Sequence, residues 1–219
     1  MKRSELIADV REILREYSID SEVADRHIMF LTRTKRAKYL RQREVRELGE
    51  YRDQFQQRVV MTLELVDSTT GTLPTGYTLL RTVKKLPNIV GREIFKSLDI
   101  RTVNIIGQEI EVLNKARFSS VDYTPIGFIY AYKDDDGYIW LKAPNDSYKF
   151  LTEIQVTTIL EDPEEIVSLM NMTTHLEDYP ITGELWETIR PEILNELLRS
   201  KQTPIDVLNN NADDGAKSS

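Results

Sequence analysis

Cysteine is absent from this 219-residue chain, and histidine occurs only as His27 and His175. These shortages exclude disulfides, a thiol nucleophile, and zinc sites built from thiolates or several imidazoles. No run approaches the roughly 20 apolar residues needed to cross a bilayer, so no membrane is expected among the partners. The opening MKRSELIADVREIL is charged throughout and lacks the uninterrupted apolar stretch of a signal peptide. The expectation is a soluble protein that is intracellular or assembled inside a cell. Glycine-rich loops are also missing: DSTTGTLPTG (residues 67–76) is followed by no Gly-Lys-Ser/Thr, and no G-x-S-x-G, H-E-x-x-H or dinucleotide fingerprint occurs. Neither catalysis nor a cofactor or metal is expected.

What remains is an ordinary core-forming composition, 40% hydrophobic and 30% charged, with a net charge of −7. The stretch from Pro125 to Leu160 organises the chain. Phe128–Tyr132 and Tyr138–Leu141 are rich in aromatic and β-branched residues, and Asp136-Gly137 between them is a strong hairpin signal. Further strands are expected at Val59–Val66, at Tyr77–Val83, and as a pair, Arg101–Ile106 and Glu109–Leu113, turning at Gly107-Gln108. Ile94, Phe95 and Leu98 suggest one or two helical turns.

Helices flank this β-region. Leu6, Val10, Ile13, Leu14 and Tyr17 form one apolar stripe behind a Ser4 N-cap. A second helix starts at Asp20 or Ser21 and runs to about Leu48, stopped by Gly49, with Val23, His27, Phe30, Leu31, Thr34 and Ala37 as its core face. His27 is therefore read as a packing residue. Downstream, Asp162-Pro163-Glu164-Glu165 places Asp at an N-cap and Pro at the first helical position. Thr182 caps the last helix, which Pro191 should kink or split. The fold class is α+β: an N-terminal helical hairpin (1–57), a small, mainly antiparallel β-domain (58–160), C-terminal amphipathic helices packing back on the hairpin (161–200), and an extended tail (201–219). In that tail Ile205, Val207 and Leu208 form a candidate docking segment.

Charge is unevenly placed. Arg33, Lys35, Arg36, Lys38, Arg41, Arg43 and Arg46 crowd one helix, whereas Glu161 to Ile189 holds many acids and neither Lys nor Arg. Two solvated faces fit this pattern, and so does a head-to-tail contact between copies. For the second use, the candidate subunit-interface residues are Arg33, Arg36, Arg41 and Arg43 against Glu161, Asp162, Glu164 and Glu165. The basic helix 33–46 also allows an intracellular DNA-binding or regulatory role, although Glu44 and Glu47 interrupt it. Asp134-Asp135-Asp136-Gly137 is contiguous, unlike a calcium loop with alternating ligands, and reads as a turn.

The order of parts, with Gly137-Tyr138-Ile139-Trp140-Leu141, the Leu160-Glu161-Asp162-Pro163 junction and the Asp178-Tyr179-Pro180 entry to the last helix, resembles the head-to-tail connector ring proteins of crAss-like short-tailed bacteriophages. The resemblance covers approximately Ser4 to Ser200. It implies a non-enzymatic virion protein, assembled in the host bacterial cytoplasm. It also implies a homo-oligomeric ring of about twelve copies below the portal protein, with other connector or tail proteins as neighbours. Genome DNA would pass through the ring without sequence-specific binding.

Overall fold

The structure, a computed structural model, describes residues 1–16, 23–44, 52–66, 78–91, 98–103, 107–121, 128–143, 148, 150–172 and 176–202. Tyr17, Gly49, the 67–76 loop, the helical turns expected at Ile94 and Phe95, His175, and the docking segment Ile205, Val207 and Leu208 lie outside them.

Helix α1 (Arg3–Glu16) buries Leu6, Ile7, Val10 and Leu14. Its start is fixed by Glu5, whose carboxylate accepts the Lys2 N–H at 2.9 Å, and Ser4 sits inside the first turn instead of capping it. Helix α2 (Asp25–Glu44) is rotated from the face read in the sequence. Its buried ridge is Ile28, Thr32, Arg36 and Leu40, at successive i+4 steps, with Met29 and Leu31 beside it. His27, Phe30 and Thr34 are exposed, and His27 stacks on Phe30 in solvent with ring centroids 6.5 Å apart. Two polar residues on the true ridge hid it from a hydrophobic pattern. Thr32 satisfies itself by donating to the Ile28 carbonyl at 2.9 Å; the partners of Arg36 are described below.

After the single turn α3 (Arg52–Phe55) come seven strands: β1 (Gln57–Leu65), β2 (Thr78–Thr82), β3 (Asp99–Thr102), β4 (Glu109–Val112), β5 (Tyr130–Lys133), β6 (Ile139–Ala143) and β7 (Glu153–Thr158). They close in the order β1-β2-β6-β5-β4-β3-β7. The small antiparallel sheet expected between flanking helices is therefore corrected: the central element is a closed barrel. An odd number of strands cannot close with alternating directions throughout, so at least one neighbouring pair must be parallel. That pair is β4 and β5, with Glu111 opposite Tyr130 and Val112 opposite Ala131. A parallel pair needs a crossover, supplied by residues 113–129 with helix α4 (Lys115–Ser120), which the sequence reading missed. Asn114 caps α4, its side chain accepting the Arg117 N–H at 2.9 Å.

Inward side chains fill the barrel, as expected at this strand number. Val59, Met61, Leu63, Ile100, Ile110, Ala131, Ile139, Leu141, Ile154 and Val156 are all buried there. A second core joins the helices: Leu6, Val10, Ile28, Leu40 and Phe55 meet Leu185, Trp186, Ile189, Ile193 and Leu197 of the last helix. That helix, α6 (Gly183–Gln202), runs through Pro191 as one element and is not split. Thr182 caps it as expected, accepting the Leu185 N–H at 3.2 Å. The preceding short helix, α5 (Glu165–Leu169), begins two residues later than the Asp-Pro-Glu-Glu pattern predicts. Asp162 instead caps the turn ahead of it, accepting the Glu164 N–H at 3.1 Å.

The two cores meet along a short antiparallel seam. Ile89 pairs with Leu160, the Val90 N–H donates to the Ile159 carbonyl at 2.8 Å, and the Glu161 N–H donates to the Asn88 carbonyl at 2.9 Å. Alternation then divides the side chains: Ile89 and Leu160 enter the barrel, while Val90 and Ile159 enter the helical core.

The β5–β6 hairpin spans Asp134–Tyr138, wider than the two-residue turn the sequence suggests. Asp134 closes it, accepting the Tyr138 N–H at 2.7 Å and the Trp140 indole N–H at 2.8 Å. Gly137 has φ +96°, and a Cβ there would lie 3.0 Å from the Leu86 carbonyl oxygen. Gly137→Ala should therefore lower stability by about 1–3 kcal/mol in chemical denaturation. An unchanged midpoint would mean that the turn relaxes freely.

Candidate functional site

The charged residues singled out in the sequence converge on the seam, within one subunit. Arg36 is fully buried. Its Nε donates to the Pro180 carbonyl at 2.8 Å and its Nη1 to the Leu160 carbonyl at 2.9 Å. One guanidinium thus ties α2 to the seam strand and to the entry of α6. Among the described residues no carboxylate pairs with it. Burial lowers its pKa to about 10, partly offset by Tyr179 and Asp162. Burial likewise pushes the Tyr179 hydroxyl well above its ordinary range. Among the described residues Arg36 Nη2, the Tyr179 hydroxyl and Gln57 Oε1 have no hydrogen-bond partner, while Gln57 Nε2 donates to the Pro163 carbonyl at 3.2 Å.

The flanking cations pair with the acidic turn. Arg33 donates to Asp162 at 2.5 Å, Arg41 to Glu161, and Arg3 to Glu164 at 2.9 Å. Glu165 is exposed beside them; partial burial and then Asp162 push its carboxyl up, against the pull of Arg33. Arg43 belongs to α2. Between α2 and this turn lies a groove of about 620 Å³, edged by Arg33, Lys38, Arg41, Asn88, Glu161 and Glu165.

A second cluster, in which Lys35 and Lys38 meet acids that the sequence reading did not single out, joins α2 to α6. Lys35 bridges Glu192 and Glu196 at 3.5 and 2.8 Å, and the Tyr39 hydroxyl donates to Glu192 at 2.6 Å. The Tyr39 bond comes first in holding the Glu192 carboxyl below its ordinary value, with Lys38 and Lys35 adding to it. Its signal was present as i,i+4 spacing on both helices, Lys35 with Tyr39 and Glu192 with Glu196. Asp9 forms a third tie, accepting the Trp186 indole N–H at 2.7 Å and the Arg190 guanidinium at 3.2 Å. On the barrel wall, Arg81 pairs with Glu64 and lies over Tyr138 and Trp140, 4.8 and 5.5 Å from the ring centroids.

Among the described residues no group of three or more potential ligands is placed to hold a metal, and no helix is long and apolar enough to cross a membrane. The geometry is that of a filled barrel clamped to a helical layer by buried and bridging polar groups. Comparison with known proteins identifies which kind of protein this is. The family described as phage tail ring protein 2 matches residues 5–215, and the chain belongs to it. Ring protein 2 of Bacteroides phage crAss001 is 26% identical over 223 residues, an alignment covering 98% of both chains. The chain is thus a structural ring protein of a crAss-like bacteriophage, a component of the virion and of an oligomeric tail assembly.

Two outcomes follow for the clamp. Arg36→Met should destabilise the subunit by about 2–5 kcal/mol in urea unfolding, because one buried and one partly buried carbonyl lose their donor. Loss below about 0.5 kcal/mol would show that the guanidinium is dispensable. For Glu192 the folded pKa is depressed, so its stabilisation is full above the unfolded carboxylate value near 4.5 and is lost as pH falls through the folded one. Glu192→Gln should therefore unfold more easily than the parent at neutral pH and converge with it in acid. Parallel pH profiles would rule this contribution out.

Proposed function

We propose that this chain forms the ring of the head-to-tail connector below the portal, in about twelve copies, with genome DNA passing through its channel. The observation that carries this reading is the near full-length match to a phage tail ring family. A closed ring of identical copies needs two different faces per subunit that fit each other. The groove between α2 and the acidic turn supplies one, with cations and carboxylates side by side. Arg33, Arg41 and Arg43 with Glu161, Asp162, Glu164 and Glu165 are the residues we assign to contact with the neighbouring copy. Arg36 acts behind them by fixing the height of the turn. Ile205, Val207 and Leu208 would reach an adjacent ring or the portal. The acidic balance of the chain suits a channel wall along which DNA slides without being held. We place its assembly in the host bacterial cytoplasm.

The alternative, a DNA-binding role for helix 33–46, is less well supported. Arg33, Lys35, Arg36, Lys38 and Arg41 already have carboxylate or carbonyl partners within the subunit. A face neutralised in this way releases few counterions on duplex DNA.

Quantitative mass spectrometry of purified virions tests the connector reading. We expect the chain at the same copy number as the portal protein, about twelve per particle, with cross-links joining the two. A markedly different copy number, or cross-links confined to the distal tail, would move it away from the connector.

A further inference from the structure

The three buried polar atoms left without a partner among the described residues, Arg36 Nη2, the Tyr179 hydroxyl and Gln57 Oε1, come from three parts of the fold. Arg36 stands in the middle of α2, Gln57 opens β1, and Tyr179 lies in the segment that leads into α6. Their other bonds gather them at one junction. Arg36 donates to the Leu160 and Pro180 carbonyls, so its guanidinium lies between the end of the seam and the residue after Tyr179. Gln57 donates to the Pro163 carbonyl, three residues beyond Leu160. The charges of Arg36 and of Asp162, the neighbour of Pro163, both act on the Tyr179 hydroxyl.

Buried polar atoms are nearly always paired, either with protein or with ordered water, because leaving them bare is costly. The bonding character of these three specifies what would pair them. Arg36 stays charged at neutral pH and can only donate. Gln57 Nε2 is committed to the Pro163 carbonyl, which fixes the amide orientation and presents Oε1 as an acceptor. Tyr179, kept protonated by burial, can donate or accept. The shared partner must therefore accept from one group and donate to another. An anion only accepts and would be set against the Gln57 oxygen. A cation accepts nothing and would be set against the guanidinium. Water does both, and about three hydrogen bonds is the usual complement of a buried water.

We propose that an ordered water molecule is bound at this junction, accepting from Arg36 Nη2 and donating to Gln57 Oε1, with the Tyr179 hydroxyl as its third ligand. It links the start of the barrel wall to α2 and to the entry of α6 at a single point. The site belongs to the single subunit and stands apart from the connector reading.

The sign of one substitution tests this. Tyr179→Phe removes a single oxygen. If that oxygen holds the water, the folding equilibrium constant of the full chain falls about fivefold in urea unfolding, because a bond is lost and the water is left under-coordinated. If the hydroxyl is bare, its removal relieves an unmet desolvation cost. The constant then stays equal or rises, and the proposal is overturned. A hydroxyl bonded directly to Gln57 would also give a loss, so a crystal structure of the full parental chain supplies the second reading. The expected result is density for a water about 2.7–3.2 Å from all three atoms. Direct contact between Tyr179 and Gln57, density for an anion, or no water on these atoms each overturns the proposal. Should Tyr179→Phe fail to fold, the parental crystal structure decides alone.

Discussion

A single buried guanidinium sets the relation between the two halves of this molecule. Arg36 reaches from α2 to two backbone carbonyls, one on the strand leaving the barrel and one at the entry to the last helix. Neither carbonyl has a regular sheet or helix position to satisfy it, and a buried carbonyl without a donor is costly. The rotation of α2, the height of the acidic turn and the approach of α6 all follow from meeting those two acceptors with one planar side chain. Arginine suits this place better than lysine, because its fork delivers two donors in fixed directions. The surrounding ion pairs, half exposed, add little each and serve mainly to orient the turn.

Closure of the barrel is the second constraint. Seven strands force one parallel pair, and the crossover that this pair requires lays α4 over β5, where Phe118 packs on Tyr132 with ring centroids 5.6 Å apart. The odd strand count thus has a cost in chain length, since the chain must regain the starting end of the barrel between β4 and β5. What the barrel gains is an end-to-end filled core with no free sheet edge, which leaves its outer wall and its rims available for contact.

Much of the local structure was legible in the residues. The strands at Val59–Val66 and Tyr77–Val83, the Thr182 cap and the Gly137 turn are set by neighbours a few positions away, where period and turn chemistry act directly. Closure was not legible, because a strand in a barrel and a strand in an open sheet carry the same alternation; only pairing partners far apart in sequence distinguish them. The face of α2 was misread for a related reason. Thr32 and Arg36 are polar, so a hydrophobic template skips the ridge that long-range hydrogen bonds bury. The basic and acidic segments were recognised as complementary. That they meet first within one subunit depends on the seam, which brings residue 160 beside residue 36 and leaves no trace in either segment alone.

The seam also has a mechanical meaning. Asn88–Val90 and Ile159–Glu161 are antiparallel neighbours whose side chains are shared alternately between two cores, and β7 runs directly into one of them. A pull that separates the helical layer from the barrel along these strands loads their hydrogen bonds in shear, all at once, and must drag side chains out of both cores together. The same pull applied across the strands would open them one bond after another. The seam is thus a joint whose resistance depends on the direction of the pull, greater along its strands than across them.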